Sequence, residues 1–390
     1  MNPPSSNCPE LFVTNLHRRF TGVSATADGV VSKQLGQFDM RLVGNPLPSV
    51  PEAISFVRAI RLCRRRPKDR PFSIWHVRRN IEMTAAVFAR DVLRLPIRIV
   101  FTSAAQRLHS AVPRRLIARM DAVVATTQKA ASFLDRAAAV VPHGVDTSLF
   151  TPADDRRRAW RAMGWPGDYG IGIVGRIRKE KGTHLFVEAM LRVLPERPGL
   201  TAVVIGRAMP GDAAFEKSLR DRIDAARLGD RFVFTGEIAR QRMFEAMRAL
   251  SVLAAPALYE GFGLTPLEAM ASGAAVIAAD TGAYSKMIRA NTNGILVPID
   301  DADALAEAIR AVTADRATLE AWGRNARAIV ERDFSLAGEA ERIAEVYGEL
   351  WRQPGGALCR EQSPSIEASQ SDNTRIHHHT RPGRRATPAG

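Results

Sequence analysis

"ALYEGFGLTPLEAMASG", residues 257–273, carries two glutamates, Glu260 and Glu268, on either side of a glycine-broken turn and the start of a helix. Thr265-Pro266-Leu267-Glu268 reads as a capping box: the Thr hydroxyl caps the first turn, Pro takes the first helical position, and the Glu reaches back to the cap amide. Helix chemistry alone therefore accounts for Glu268. It leaves Glu260 unexplained, together with Gly261 and Gly263, which suit close approaches that a side chain would block.

The stretch emerges from the apolar run "SVLAAPA" (251–257), and similar short runs recur on both sides of it. Upstream they are 11–16, 38–44, 72–77, 97–102, 122–127 and 138–143; around it they are 169–175, 201–206, 231–236, 274–279 and 294–299. Helix-patterned segments separate them, the pattern of βα units building parallel sheets. The expected organisation is α/β, with one doubly wound Rossmann-like domain over residues 1–155 and a second over 156–334. A last helix near 335–352 is expected to pack back on the first domain. Beyond 354 periodicity gives way to Ser, Pro, Gly and Arg, so a disordered tail is expected and its His377, His378 and His379 are read as incidental. Ligands of such sheets bind beyond the carboxyl ends of the strands, which directs attention to the strand-to-helix turns of both halves.

The 390 residues, 46% apolar and 25% charged, have the composition of a globular protein. Cys8, Cys63 and Cys359 lie far apart without metal or disulfide spacing, which points to a reducing compartment. The start "MNPPSSNCPELF" has neither the basic opening nor the apolar run of a secretion signal, and no stretch approaches ~18 uninterrupted apolar residues. A cytoplasmic location is expected. The net charge of +14 is uneven: residues 1–150 hold 22 Lys or Arg against 10 Asp or Glu, leaving 33 against 31 for the rest. Its densest run, "RAIRLCRRRPKDR" (58–70), either ends a helix favourably and solvates a face, or attracts an anionic partner such as a phosphorylated substrate, a membrane surface or nucleic acid.

"GIVGRIRKEKG" (172–182) places Gly175, Arg176 and Lys181 between a buried strand and a helix, where a guanidinium and an ammonium can clamp a diphosphate. Arg178, Lys179 and Glu180 fit a solvated turn. Gly206, Gly236 with Glu237 and Ile238, and Gly282 close further strands of the same half.

"GRIRKEKG", then "YEGFGLTPLEAMASG", "TGA" and "NGILVPIDDADALAEAI", with "VVPHGVDTSLF" before them, resemble the nucleotide-sugar glycosyltransferases of family 4, retaining enzymes with the two-domain GT-B fold. In the first half "SIWHVRRNIEM" and "IVFTSAAQRLHS" look like the lipopolysaccharide core mannosyltransferase branch. The resemblance implies that Glu268 binds the nucleotide ribose and Glu260 the transferred sugar. Phe262 and the amides of Gly263, Leu264 and Thr265 then serve the donor, and Arg176 and Lys181 neutralise the departing diphosphate. Gly22, after the first strand, would close on the donor phosphates, while His76, Arg78 and Asn80 would line the acceptor cleft. Many family members place a His near the position of Ala104; His109 is the candidate for its work here. Asp301-Ala302-Asp303 has the spacing of a metal-binding pair but reads better as a cap and first helical turn, so no metal or other cofactor is expected.

The implied activity is hexose transfer, with mannose from GDP-mannose as the expected donor and a lipid-linked glycan such as lipopolysaccharide core as the acceptor. It would take place at the cytoplasmic face of the inner membrane, on an anionic surface. UDP-glucose, UDP-galactose and UDP-N-acetylglucosamine are the alternative donors. A basic nucleic-acid-binding protein is the reading from another class, supported only by the charge of the first half; no nucleic-acid motif appears and aromatics are 6%. The sequence fixes no oligomeric state.

Overall fold

The computed structural model describes residues 8–105, 107–135 and 139–353. The expected tail, Cys359 and the three consecutive histidines lie outside the described residues. Two parallel sheets organise the chain. The first contains β1 (Leu11–Asn15), β2 (Met40–Gly44), β3 (Ala53–Ile54), β4 (Ser73–Val77), β5 (Ile97–Ser103), β6 (Ala122–Ala125) and β7 (Ala139–Val140), in the order β3-β2-β1-β4-β5-β6-β7. The second contains β8 (Tyr169–Val174), β9 (Leu200–Ile205), β10 (Phe232–Gly236), β11 (Val252–Ala255), β12 (Ala275–Ala279) and β13 (Gly294–Val297), in the order β10-β9-β8-β11-β12-β13. Strand order reverses beside β1 and again beside β8. These are the points where an open sheet leaves a crevice at its carboxyl edge.

Sequence periodicity locates all but one of these strands. The exception, β3, pairs only Ala53 and Ile54 with β2, too short a run to show a period. β7 is correspondingly shorter than the apolar run 138–143, because Pro142 brings no N–H to a ladder.

Each sheet is covered on both faces. Phe12, Trp75, Ile99 and Phe101 of the first sheet pack under helices Phe56–Leu62, Asn80–Val87 and Ala111–Ile117 through Ala59, Met83, Ala86 and Ile117. The opposite face, with Leu11, Val13, Ile74 and Val100, is covered by helix Gly22–Gln34 and by the last helix, Leu336–Arg352. That last helix repeats apolar residues at Leu336, Ala340, Ile343, Tyr347 and Leu350, a stripe that only an apolar partner satisfies. Its start is capped by Ser335, whose hydroxyl accepts from Gly338 N at 3.2 Å. Around the second sheet, Val145 and Phe150 join Trp160 and Met270 in one core cluster, so packing of that half begins upstream of residue 156.

Tyr347 is the largest side chain the last helix buries completely. Tyr347→Ala should destabilise the first half by about 3–5 kcal/mol, the cost typical of emptying a buried aromatic site. The urea midpoint followed by circular dichroism measures this, and an unchanged midpoint would mean the helix contributes little to that core.

Candidate active site

After β11 the chain turns through Glu260–Gly263 into helix Leu264–Ala271. Gly263 is the cap residue, with φ 86°, and a Cβ there would come within 2.4 Å of the Tyr284 ring. The helix therefore starts before Thr265, which occupies its second position, with Pro266 in the third. The expected capping box does not form. Pro266 is tolerated because first-turn amides have no partner inside the helix. Glu268 is left within the helix, and among the described residues its carboxylate makes no hydrogen bond. Burial pushes it up to about 7, against a weaker opposing pull from Arg240.

Glu260 is gripped from three directions. Lys181 Nζ stands 2.5 Å from Oε2, Gly261 N donates to Oε1 at 3.0 Å, and the buried Tyr284 hydroxyl faces the same carboxylate. Burial, reinforced by the Glu260 charge, holds the Tyr284 phenol well above its ordinary range, so it stays a proton donor. Lys181 arrives from the short turn Lys179–Lys181 that follows β8, which places the two turns singled out in the sequence in direct contact. Arg176 is exposed at the same edge and makes no ion pair among the described residues. Gly175, Gly206 and Gly236 end adjacent strands. Gly206 N donates to Gly236 O at 3.0 Å, and a Cβ on Gly206 would stand 2.0 Å from Gly175 O. Ile238 is half-buried beside them.

The Phe262 ring is buried and meets the ring of His143 edge-on at 5.0 Å, so the ring packs against the linker between the halves. His76 corrects an expectation. It is fully buried, its Nδ1 paired with the Tyr347 hydroxyl and its Nε2 with Thr102 Oγ1 at 2.7 Å, so it ties β4 to β5 and the last helix and lines no cleft. Alternation along β4 turns it toward that helix.

The other first-half residues stand at the carboxyl edge of the sheet. Gly22 is exposed as the first residue of its helix, with open space where a Cβ would be. Asn80 is exposed at a helix start, and Arg78 precedes it, half-buried. His109 lies 3.2 Å from Ser103 Oγ at the end of β5, and burial lowers its pKa. Between them runs a network the sequence reading missed. Fully buried Glu82 accepts from the amides of Leu16, Arg78 and Arg79 at 3.3, 2.8 and 3.2 Å. Arg79 binds Glu82 at 2.9 Å and reaches Thr21 and Ser24 at 3.0 and 2.8 Å. Tyr284 was missed as well. A glutamate three residues into a helix signals the first; nothing local signals the second, whose role depends on the fold.

Asp301 caps helix Ala302–Val312, accepting from Ala304 N at 2.8 Å, and Asp303 lies 3.4 Å from Arg192. A cavity of about 750 Å³ between helices Arg156–Ala162 and Arg316–Asp333 lies at the amino ends of β8 and β11, away from all these groups.

Residues 162–329 match the family described as Glycosyl transferases group 1. The lipopolysaccharide core biosynthesis mannosyltransferase LpsB of Rhizobium meliloti is 41% identical over 348 residues, covering 88% of this chain and 98% of that protein. The chain belongs to the group 1 glycosyl transferases. The corresponding mannosyltransferase LpcC of Rhizobium leguminosarum bv. viciae is 40% identical, covering 87% of this glycosyltransferase and 96% of its own length. In fold the glycosyltransferase is similar to Anabaena Alr3699/HepE solved with UDP, at TM-score 0.76 and 19% identity, covering 87% of this chain and 100% of that one. Sucrose-phosphate synthase of Thermosynechococcus elongatus matches at TM-score 0.70 and 20% identity over 88% and 99%. The two parallel sheets are thus the paired Rossmann-like domains of a GT-B glycosyltransferase.

Glu268 gives this site a testable titration. Its pKa of about 7, against an ordinary 4.5, means the folded chain holds the proton more tightly than the unfolded chain. The stability it contributes is therefore fully present below pH 4.5 and lost as pH rises through 7. In Glu268→Gln that loss should vanish, so the melting temperature of the variant should gain on that of the wild type between pH 4.5 and 7 and then level off. A difference flat across the window would show the carboxyl to be as free as in water.

Proposed function

We propose that the protein transfers mannose from GDP-mannose, with retention at the anomeric carbon, to a lipid-linked glycan of the lipopolysaccharide-core type at the cytoplasmic face of the inner membrane. The observation that carries this reading is relatedness to two core mannosyltransferases over nearly their entire lengths, 98% and 96%. No helix among the described residues is long and apolar enough to cross a membrane, so a lipid-linked acceptor has to be met at the surface.

In this reading the carboxyl edge of the second sheet holds the donor. Glu268, whose carboxylate has no hydrogen-bond partner among the described residues, accepts from the ribose hydroxyls. The amides of Gly263, Leu264 and Thr265 lie at a helix start, where backbone N–H groups favour negative charge. Gly175, Gly206 and Gly236 let the donor backbone approach, with Ile238 beside the base and Gly22 closing from the other domain. As the glycosidic bond breaks, negative charge grows on the diphosphate, and Arg176 and Lys181 stabilise it. Lys181 turns from Glu260 to the phosphate, leaving Glu260 to hold the sugar. His109, Arg78 and Asn80 face the acceptor from the first sheet.

A panel of GDP-mannose, UDP-glucose, UDP-galactose and UDP-N-acetylglucosamine, read by nucleotide release with and without acceptor, should single out GDP-mannose. Preference for a UDP sugar would replace that donor. Glu260→Gln and Lys181→Ala should each lower kcat about a hundredfold with the fold intact, the usual loss when one preorganised group facing developing charge is removed. Near-normal kcat in either variant removes that residue from the reaction.

In this reading Arg176 and Lys181 meet the negative charge of the diphosphate, and Asp301 is already engaged as a helix cap. Activity should therefore survive exhaustive EDTA treatment. Loss restored by Mg²⁺ or Mn²⁺ would make the transferase metal-dependent.

A further inference from the structure

Helices Phe56–Leu62, Asn80–Val87 and Ala111–Ile117 cover one face of the first sheet, and their outer surface has no partner among the described residues. Along the middle helix Ile81 and Phe88 lie seven residues apart on that outer side, 58% and 45% exposed. The helix continues as a π turn, Phe88–Val92, closed by Leu93 N to Phe88 O at 3.1 Å. The wider turn brings Val92, 64% exposed, back over Phe88. Val112, also 64% exposed, sits on the first turn of the neighbouring helix. Four large apolar side chains thus stand in water on one packed helix pair. Single exposed apolar residues need no explanation, but an aligned group on one face marks an interaction site.

The charges around it select the partner. Arg61, Arg64, Arg65, Arg66, Arg94 and Arg115 are exposed and make no ion pair among the described residues. Residues 56–66 and 107–119 contain no carboxylate. Of the two in the middle helix and its extension, Glu82 is fully buried and Asp91 is held by Arg90 and Arg119 at 2.7 and 3.0 Å. An apolar row flanked by unpaired guanidinium groups suits the interface of an anionic bilayer, where the row leaves water and the cations stay level with the phosphates.

We propose that this helix pair is the surface by which the protein enters an anionic membrane, with Ile81, Phe88 and Val92 below the headgroups and the basic run after Leu62 on top of them. The row begins beside Asn80 at the carboxyl edge of β4 and runs to the amino edge of β5, on the side where the basic run after Leu62 leads into β4. The membrane contact does not rest on the proposed lipid-linked acceptor.

The full chain is to be mixed with phosphatidylcholine vesicles with and without phosphatidylglycerol, at low and high salt. Binding should require the anionic lipid. Phe88→Ser with Val92→Ser should weaken it at least about tenfold, the equivalent of ~1.4 kcal/mol, at either salt concentration. Replacing Arg64, Arg65 and Arg66 by Gln should weaken it mainly at low salt. Phe88→Trp should show a blue-shifted emission quenched by brominated lipid. Melting temperature and donor binding in all variants should match the wild type, which separates lost docking from lost folding. Equal vesicle binding by the serine variant, or Trp emission unmoved by lipid, overturns the proposal. So does a lipid-free dimer that the serine substitutions dissolve, which would assign the face to a second copy. Failure of the donor panel leaves this result standing.

Discussion

Glu339 is almost completely buried in the last helix, and a carboxylate in that position must be answered by donors. They come from the linker between the two domains: His143 Nδ1–H donates at 2.8 Å and Gly144 N at 2.7 Å. The close fit of Gly144, where a Cβ would stand 2.5 Å from Ser335 O, lets the chain cross itself at this point. The outward and returning strands of the connection are further joined by Val145 N to Phe334 O and Leu336 N to Val145 O, both at 2.9 Å. The His143 ring then supports Phe262, which belongs to the turn carrying Glu260. One buried charge thereby couples the join between the domains to the loop expected to hold the sugar donor.

Within that loop geometry follows from what is absent. Without a side chain at Gly263, the Tyr284 ring can fill the space under the turn and bring its hydroxyl to Glu260. Together with Lys181 it fixes the carboxylate of a residue whose backbone lies in a turn. A positively charged group already paired with the carboxylate needs little rearrangement to serve a phosphate, the economy that preorganised sites exploit.

The first domain solves a different problem. The turns after β1 and β4 are tied together by Glu82 and Arg79 through buried or half-buried hydrogen bonds at the carboxyl edge of the first sheet. On the outside of the same helix the apolar row is left uncovered. One short segment thus carries both a buried polar anchor and an exposed apolar face, a division set by helical period.

Local period and turn chemistry were enough to locate twelve of the thirteen strands among the described residues and the Gly-Arg-Lys and Glu-Gly turns, because a strand buried on both faces must be apolar and a turn expected to meet a phosphate needs small residues and cations. They also showed that Asp301 starts a helix. What the sequence could not decide were choices among equally good local partners. Thr265 reads as the cap of its helix, yet packing against Tyr284, distant in the chain, put Gly263 there instead. His76 has the look of a site residue at a strand end, yet the side of the sheet on which Tyr347 arrives made it a core residue. The pairing of Lys181 with Glu260 and the exposure of Phe88 likewise depend on which elements the fold brings together, since proximity across the chain is a property of packing and leaves no mark on composition or spacing.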